Sequence, residues 1–326
     1  MGSPWILNLA VRNLERDDAV GREDLRPPFA RSSLSWRHKV TALGRRFDRD
    51  AFKTAQRRGW NDAAIGWRRW WDKLEADVVT ERLLELAEVK PGARVLDIAT
   101  GIGEPALTAA AAVGSEGRVV ATDISPGMLA IARERAAERK LRNVEFLETD
   151  AEQLDYEEHF DAVLSRFGLM FLPDVDEALR RVRRALVSGG RLAASLYPRS
   201  PFFSTAVAVT RRHLGLPENE PVRMRFAPGD RSGLEATLVD AGFVDVRSEV
   251  IELATPFASS DEYVDYLRDT SVTINNMLTE RSADRRSDVW TAIRAAIAAE
   301  PRPAGSFVER VDALTVAGRR SSSLER

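Results

Sequence analysis

Three acidic residues stand at the ends of consecutive short apolar segments, which their length and composition predict to be β-strands. Asp97 lies within RVLDIA, Asp123 ends the segment VVATD, and Asp150 follows the third segment. A carboxylate at Asp97 attracts an ammonium or sulfonium group and repels a pyrophosphate. Asp123 can accept hydrogen bonds from both hydroxyls of a ribose, and Asp150 can accept one from an adenine amino group. Together they predict a pocket for an adenosine that carries a cationic amino-acid tail and no phosphates.

A glycine-containing loop follows Asp97 and leads into a predicted helix. Such a loop lets a ligand approach the backbone closely beside a helix N-terminus. The spacing Gly101-x-Gly103-x-x-Ala106, with Asp123 20 residues after Gly103, also fits a dinucleotide-binding fingerprint. The glycines alone therefore leave a nicotinamide-dependent enzyme open. The charge of Asp97 and the roughly 90 residues before the strand that leads into the loop disfavour it.

From residue 74 onward, predicted strands alternate with predicted helices. The predicted strands are Arg94–Ala99, Arg118–Thr122, Val144–Glu148, Phe160–Ser165, Arg191–Tyr197 (after a Gly189-Gly190 turn), Val244–Ala254 and Phe307–Ala317. The predicted helices are Leu74–Ala87, Glu104–Val113, Pro126–Lys140, Val175–Leu186, Ser232–Ala241, Ser260–Leu278 and Arg286–Ala299. This alternation predicts an α/β fold with a doubly wound, mostly parallel sheet. Its ligand should lie beyond the carboxyl ends of the strands.

The same pattern predicts the domain organisation. Residues 1–72 carry a net positive charge and form an N-terminal arm, which we expect to be disordered over Leu14–Ser35 and an amphipathic helix with interleaved aromatic residues within Arg37–Arg69. The other predicted regions are a core (73–198), a cap insertion (199–229), a core continuation (230–259), a helical cap insertion (260–300), and a last strand with a tail (301–326). The two insertions would form a lid over the ligand.

Composition excludes several classes of function. The chain of 326 residues has no cysteine and three histidines, none of them adjacent, so we expect no metal centre. A net charge of −2 and a pI near 6.1 argue against a dedicated nucleic-acid partner. No apolar run reaches the ~20 residues of a transmembrane helix, so we expect a cytoplasmic protein. A homodimer is left open.

Five segments occur in the order that characterises a known family: VLDIATGIGEPAL, VVATDISPGML, ETDAEQL, FDAVLSRFGLMFLPD and LVSGGRLAASL. They span about a third of the chain and resemble the class I S-adenosylmethionine-dependent methyltransferases, in particular the ubiquinone/menaquinone-biosynthesis group. The resemblance implies a Rossmann-like sheet of seven strands whose last strand is antiparallel, with S-adenosylmethionine as the cofactor. One departure is Ala99, which replaces the first glycine of the family's loop and is common in the quinone-type subgroup.

The resemblance also implies a role for each matching position. Asp97 would orient the loop and the methionine end of the cofactor, and Asp123 would bind the ribose. The remaining implied contacts are the loop (Ala99, Gly101, Ile102, Gly103), the two sides of the adenine (Ile124, Met128), its edge (Asp150, Ala151), and the methionine tail with the methyl group (Arg166 through its backbone, Phe167). Trp60, Trp67, Phe167 and Tyr197 are candidates for holding the sulfonium by cation–π attraction.

We therefore expect methyl transfer to a small, partly hydrophobic acceptor, with oxygen or carbon favoured as the methylated atom. An apolar cap supports this expectation: Phe202, Phe203, Tyr263, Tyr266, Leu267 and Met277. Ser165-Arg166-Phe167-Gly168 stands where base-amino methyltransferases carry D/N-P-P-Y/F, which disfavours nucleic-acid adenine methylation. No catalytic base is assigned, although His213 is a better candidate than His159. The alternatives are an NAD(P)-dependent oxidoreductase and a non-catalytic S-adenosylmethionine-binding scaffold.

Overall fold

The centre of the fold is one seven-stranded sheet in the order β3-β2-β1-β4-β5-β7-β6. The computed structural model describes residues 47–74, 77–197, 200–217, 231–301 and 307–322. The strands are β1 (Arg94–Ile98), β2 (Arg118–Asp123), β3 (Val144–Glu148), β4 (Phe160–Arg166), β5 (Leu186–Leu196), β6 (Phe243–Phe257) and β7 (Phe307–Arg320). β1 to β5 pair in parallel, and β7 pairs antiparallel with both β5 and β6. The predicted mostly parallel sheet with an antiparallel last strand is confirmed.

Ten helices surround this sheet within the described ranges. They are α1 (Arg49–Trp70), α2 (Asp77–Leu86), α3 (Ala106–Val113), α4 (Pro126–Glu138), α5 (Val175–Ala185), α6 (Pro201–Leu214), α7 (Arg231–Asp240), α8 (Ser260–Thr270), α9 (Val272–Leu278) and α10 (Ala283–Ala299). None of these described helices has both the length and the apolar character that crossing a bilayer requires. The segment Leu14–Ser35 and part of the first cap insertion lie outside the described residues.

The central strands are buried on both faces, as is typical of parallel sheets. Val95 and Leu96 are neighbours on β1, yet they pack into different apolar clusters because successive strand side chains point to opposite faces. One cluster contains α5 and α7 side chains, such as Leu179 and Leu234. The other contains α2 and α3 side chains, such as Leu83. The sheet therefore presents its edges and strand ends, rather than its faces, to a ligand.

Two predicted boundaries are wrong. β5 begins at Leu186 rather than after a Gly189-Gly190 turn, since Leu186 already pairs with Phe160 and the two glycines lie in the irregular stretch where the register shifts. Gly189 has a φ of +81°, which glycine adopts without strain. The predicted single helix Ser260–Leu278 is two helices, because the backbone is extended at Ser271, whose side chain accepts a hydrogen bond from the Ile274 N–H and caps α9.

β6 and β7 form a long antiparallel ribbon that extends beyond the rest of the sheet. The last residue of β5, Leu196, pairs with Leu314, whereas the ribbon continues to a pair between Phe257 and Phe307. That end packs with α6, α8, α9 and α10 in a third apolar cluster. All six residues of the predicted apolar cap belong to this cluster or pack against it: Phe202, Phe203, Tyr263, Tyr266, Leu267 and Met277.

α1 (Arg49–Trp70) lies mostly within the segment Arg37–Arg69. It begins after Asp48, whose carboxylate accepts a hydrogen bond from the Ala51 N–H. Its C-terminal half lies so close to α8 that a Cβ at Gly66 would stand 2.1 Å from the Asp269 carbonyl oxygen. This clash means that glycine is required where α1 crosses α8. Next to this crossing, Arg69 and the Trp70 indole of α1 both donate hydrogen bonds to the Asp269 carboxylate.

We expect Gly66→Ala to destabilise the fold. The added methyl group meets backbone rather than a flexible side chain, and overpacking of this kind costs about 1–3 kcal/mol, which exceeds the ~1 kcal/mol gain in helix propensity. Urea unfolding of the variant measures the change. Ile65→Ala is the matched control, since Ile65 is 80% exposed on the same helix, and its free energy of unfolding should stay near that of the wild type. Equal stability of both variants would contradict the close packing of α1 on α8.

Candidate functional site

Asp97 is a fully buried carboxyl group at the C-terminal end of β1. Its Oδ2 accepts a hydrogen bond from the Ala106 N–H at 3.0 Å, at the start of α3. Its Oδ1 has no hydrogen-bond partner among the described residues. Burial raises the pKa of Asp97 to about 8, opposed by the neighbouring Thr100 hydroxyl, by the Ala106 hydrogen bond and by the Arg166 charge. At neutral pH the group therefore holds a proton unless a cation binds beside it.

The loop after Asp97 presents open backbone. Gly101 has a φ of +56°, and no atom lies within 4 Å of where its Cβ would be. Gly103 has a φ of +106°, a backbone conformation that strains any residue with a Cβ, and a Cβ there would lie 2.9 Å from Leu107 Cδ1. Ala99 also has a positive φ, +56°, a conformation that costs a non-glycine residue about 1–2 kcal/mol. The backbone is thus held in a strained form at the residue that replaces glycine in the motif.

Asp123, at the end of β2, connects this loop to the next helix. Its Oδ2 accepts a hydrogen bond from the Gly101 N–H at 2.9 Å, and its Oδ1 accepts one from the Ser125 N–H at 2.9 Å. Burial raises its pKa to about 6, although these N–H donors favour the ionised form. Each carboxylate oxygen keeps further acceptor capacity beyond its one backbone bond. Asp123 therefore has a structural role that does not prevent it from binding hydroxyl groups.

Asp150 lies after β3 and makes a contact that the sequence analysis missed. Its Oδ2 accepts a hydrogen bond from the ammonium of Lys53 on α1 at 2.6 Å, and the same ammonium reaches Glu152 at 2.6 Å. The other oxygen of Asp150 accepts a bond from the Glu152 N–H. The neighbouring Ala151 is buried. No motif spacing links Lys53 to Asp150, so only the docking of α1 reveals this pair.

A small apolar cluster contains Ile102 from the glycine loop and Met128 from α4. Trp71 belongs to the same cluster, and Trp60 and Trp67 pack against it from α1. Both predicted site residues in the cluster are buried. Ile124, which follows β2, is half-buried. The tryptophans of α1 therefore lie beside the predicted adenine side of the site.

The side chain of Arg166, whose backbone alone was expected to act, is part of a charged group behind the loop. Its guanidinium lies 4.6 Å from the centre of the Trp71 ring, and that of Arg135 lies 4.4 Å from the same centre. Arg135 also donates a hydrogen bond to the Ile102 carbonyl at 2.6 Å and lies 3.6 Å from the buried Glu104. These cations stabilise nearby ionised carboxylates, because attraction between opposite charges is stronger where water is excluded.

The four aromatic candidates for a sulfonium contact separate into two pairs. Phe167, directly after β4, has a positive φ of +57°, and its ring contacts the Tyr197 ring edge-on, with 5.0 Å between centroids. Trp60 and Trp67 form the other pair, with 6.3 Å between ring centroids. The first pair follows the ends of β4 and β5, and the second belongs to α1.

The rings of the two candidate histidines make their observed contacts with residues outside the glycine loop. The Nδ1 of His213, in the last turn of α6, lies 3.0 Å from the Val209 carbonyl oxygen. The ring of His159 packs against Tyr156 and Phe160 before β4. The structure thus offers no support for His213 as a base.

Three buried polar atoms of this region lack hydrogen-bond partners in the described part of the chain: Asp97 Oδ1, Thr100 Oγ1 and Trp67 Nε1. An unsatisfied buried polar group costs about 1–3 kcal/mol. Two of the three belong to the loop and the strand before it, which also carry the open glycine backbone. A ligand with hydrogen-bonding and cationic groups, such as an amino acid, fits this donor and acceptor set.

Comparisons with known proteins agree with this arrangement. The family described as "Methyltransferase domain" matches residues 95–190. The chain is 36% identical over 182 residues to the ubiquinone/menaquinone biosynthesis C-methyltransferase UbiE of Ectopseudomonas mendocina, covering 49% of this chain and 68% of that relative. It is 41% identical over 127 residues to the aklanonic acid methyltransferase DauC of Streptomyces sp., covering 38% and 58%.

Solved structures share the fold at low sequence identity. A phosphoethanolamine N-methyltransferase 2 of Haemonchus contortus, in complex with phosphomonomethylethanolamine and S-adenosylhomocysteine, superposes with a TM-score of 0.51 at 20% identity, covering 83% of this chain and 60% of that one. A Bacillus halodurans protein superposes with a TM-score of 0.50 at 20% identity, covering 74% and 99%.

The sheet order and the flanking helices define a fold of the Rossmann-like methyltransferase type. With the sequence relatives, they show that the chain belongs to the class I S-adenosylmethionine-dependent methyltransferases. S-adenosylmethionine is its cofactor and methyl transfer is its activity, so the predicted family and cofactor are confirmed.

The raised pKa of Asp97 has a consequence for stability without added cofactor. The folded protein holds this proton up to about pH 8, whereas the unfolded chain releases it near 3.8, so the contribution of Asp97 to folding weakens as pH rises between these values. We expect the free energy of unfolding of Asp97→Asn to fall less than that of the wild type between pH 5 and 8.5 in urea titrations. The exposed Asp240→Asn serves as the control and should follow the wild type. Parallel pH profiles for Asp97→Asn and the wild type would contradict the buried, proton-holding state.

Proposed function

We propose that this protein methylates an oxygen or carbon atom of a small, partly hydrophobic acceptor at the carboxyl ends of β1, β2, β4 and β5. The observation that supports the site most directly is the buried, unpartnered Oδ1 of Asp97 beside the glycine loop. The ammonium of the cofactor's methionine tail would satisfy this oxygen and stabilise its ionised form. Arg166 is close enough to favour the same ionised form.

The other loop and strand-end residues would bind the nucleoside. Asp123 would accept the ribose hydroxyls with the acceptor capacity that its bonds to Gly101 and Ser125 leave free. Asp150 and Ala151 would meet the adenine edge, and there the ammonium of Lys53 shares the Asp150 carboxylate. Lys53 would thus decide how strongly Asp150 accepts a hydrogen bond from adenine.

The bound cofactor supplies an electrophilic methyl group on a sulfonium. The contribution of the chain is to align the acceptor with that methyl group, and good alignment is worth roughly 7–11 kcal/mol in comparable intramolecular reactions. Phe167 and Tyr197, at the ends of β4 and β5, would exclude water and attract the sulfonium with their ring faces. The helices α6 and α8 to α10 would close the acceptor side.

The proposal that an oxygen or carbon atom of a partly hydrophobic acceptor is methylated rests on two features. The third apolar cluster provides aromatic side chains next to the ends of β5 and β7. In addition, one relative is a C-methyltransferase of ubiquinone/menaquinone biosynthesis and another is a methyltransferase of aklanonic acid. The nicotinamide alternative has no comparable support, because the matched family and these two relatives are methyltransferases.

We expect Asp123→Ala to weaken the binding of S-adenosylhomocysteine by at least about tenfold, because hydrogen bonds to a charged group contribute about 1.5–3 kcal/mol each. Isothermal titration calorimetry measures the dissociation constant. Asp240→Ala removes an exposed carboxylate at the end of α7 and should leave the affinity unchanged. An unchanged affinity in Asp123→Ala would mean that the ribose binds elsewhere.

Transfer itself is tested with methyl-labelled S-adenosylmethionine and a bacterial metabolite extract, analysed by mass spectrometry. We expect labelled products that depend on the protein, and lower yields with Asp123→Ala at limiting cofactor. A non-catalytic scaffold would bind S-adenosylhomocysteine in calorimetry and transfer no label. Binding of NADH at micromolar concentration, with no binding of either sulfur compound, would contradict the proposed site.

A further inference from the structure

We propose that Glu309, near the start of β7, binds the hydroxyl group of the acceptor and takes its proton during methyl transfer. This inference rests on the proposed function, and it names the acceptor class as a phenol or an enol. Glu309 is 4% exposed, and its Oε1 has no hydrogen-bond partner among the residues that the structure describes. A buried carboxylate oxygen without a partner is costly, and a hydroxyl donor would satisfy it.

The position of Glu309 in the sheet brings it to the acceptor side. β7 runs antiparallel to β5, so the first residues of β7 lie at the edge where the parallel strands end. β5 ends at the pair Leu196–Leu314, and Glu309 lies beyond this pair, opposite Thr255 of β6. Phe307 and Glu309 lie on the same buried face of β7, because their side chains are two residues apart.

Three tyrosines lie close enough to Glu309 for its charge to contribute to their raised pKa values. The Tyr263 hydroxyl, on α8, is within hydrogen-bonding range of Glu309 and also lies 3.4 Å from Ser200 Oγ. The hydroxyls of Tyr197 and Tyr266 are close enough for the charge of Glu309 to raise their pKa, in addition to the larger effect of burial. The nearby cation Lys73 is paired with Glu262 at 2.6 Å.

Tyr197 connects Glu309 to the end of β4. Its ring contacts Phe167, the residue proposed to face the methyl group, and its hydroxyl responds to the charge of Glu309. Aromatic rings continue on the other side, where Tyr263 lies 5.4 Å from Phe307 between ring centroids. An aromatic acceptor bound beside these side chains would donate its hydroxyl to Glu309. The reacting atom, which is the oxygen of that hydroxyl or the enol carbon conjugated with it, would face Phe167.

The proton and electron balance of the step is simple. The acceptor O–H proton moves to the Glu309 carboxylate as a lone pair of the acceptor oxygen forms the bond to the methyl carbon. In an enol that is methylated on carbon, the C=C π pair forms this bond instead, and the O–H electron pair forms the carbonyl. The methyl–sulfur bond breaks and its electron pair stays on sulfur. The sulfonium loses its charge, and Glu309 later releases the proton to water. Burial raises the pKa of Glu309 to about 8, opposed by the Tyr263 hydrogen bond, which makes the ionised group a stronger base than an exposed glutamate.

The test uses the full-length protein saturated with S-adenosylhomocysteine and two fluorescent probes, 2-naphthol and 2-methoxynaphthalene. The second probe has the same ring system and no proton to donate. At pH 8.5 we expect the wild type to bind 2-naphthol at least about tenfold more tightly, because the hydroxyl donates to an ionised carboxylate. This preference should shrink below pH 7, as Glu309 becomes protonated.

Glu309→Gln keeps the shape of the side chain and should abolish both the preference and its pH dependence. Asp312→Asn is the matched control, an exposed acidic residue three positions further along β7, and should preserve both. Tyr263→Phe is a second variant that leaves the carboxylate in place, and it should keep a preference for 2-naphthol and move its onset to higher pH.

Equal binding of the two probes by the wild type, or an unchanged preference in Glu309→Gln, would overturn the proposal. Failure of 2-naphthol to bind the S-adenosylhomocysteine-saturated protein would also overturn it, and would leave the cofactor site intact. Failure of S-adenosylhomocysteine itself to bind would instead contradict the proposed cofactor site.

Discussion

The cofactor side of this protein depends on a carboxyl group that is buried without a full set of partners. Asp97 is fixed at the end of β1 by one backbone hydrogen bond, and its second oxygen has none within the described residues. Desolvation favours the protonated form of Asp97, so the carboxyl group carries no permanent charge, and a cation that binds beside it would favour its ionised form. The fold tolerates this cost because β1 lies between β2 and β4 at the centre of the sheet, where the strand ends are held rigidly.

The N-terminal helix completes the surroundings of the strand ends. α1 supplies Lys53 to the acidic groups after β3, Arg49 to Asp174, and an Asn61 side chain that accepts a hydrogen bond from the Gly127 N–H at the start of α4. Its aromatic residues pack against the cluster that contains Ile102 and Met128. The basic residues of α1 thus compensate acidic groups of the core.

The proposed acceptor side is built differently, from the end of the β6–β7 ribbon and the helices α6 and α8 to α10. Here a second carboxyl group, Glu309, is buried, and its Oε1 has no hydrogen-bond partner among the described residues. The two carboxyl groups share one physical condition, which is burial that makes the charged form costly until a ligand compensates it. The ring of Tyr197 contacts that of Phe167, and the charge of Glu309 contributes to the raised pKa of the Tyr197 hydroxyl.

The amino-acid sequence by itself determined the family, the cofactor, the mostly parallel sheet and the strand ends that carry Asp97, Asp123 and Asp150. These features depend on local periodicity and on motifs of a few residues, and both can be recognised in the amino-acid sequence without the structure. Local rules predicted two features wrongly. Gly189-Gly190 lie within β5 instead of forming a turn before it, and Ser271 divides what was predicted as one helix. Only the tertiary structure decided that Lys53 meets Asp150, that Arg166 lies against Trp71, and that Glu309 is buried beside Tyr263. The residues in these contacts are 97, 95 and 46 positions apart in the chain, and the energies of the contacts depend on desolvation, which exists only after the chain has packed.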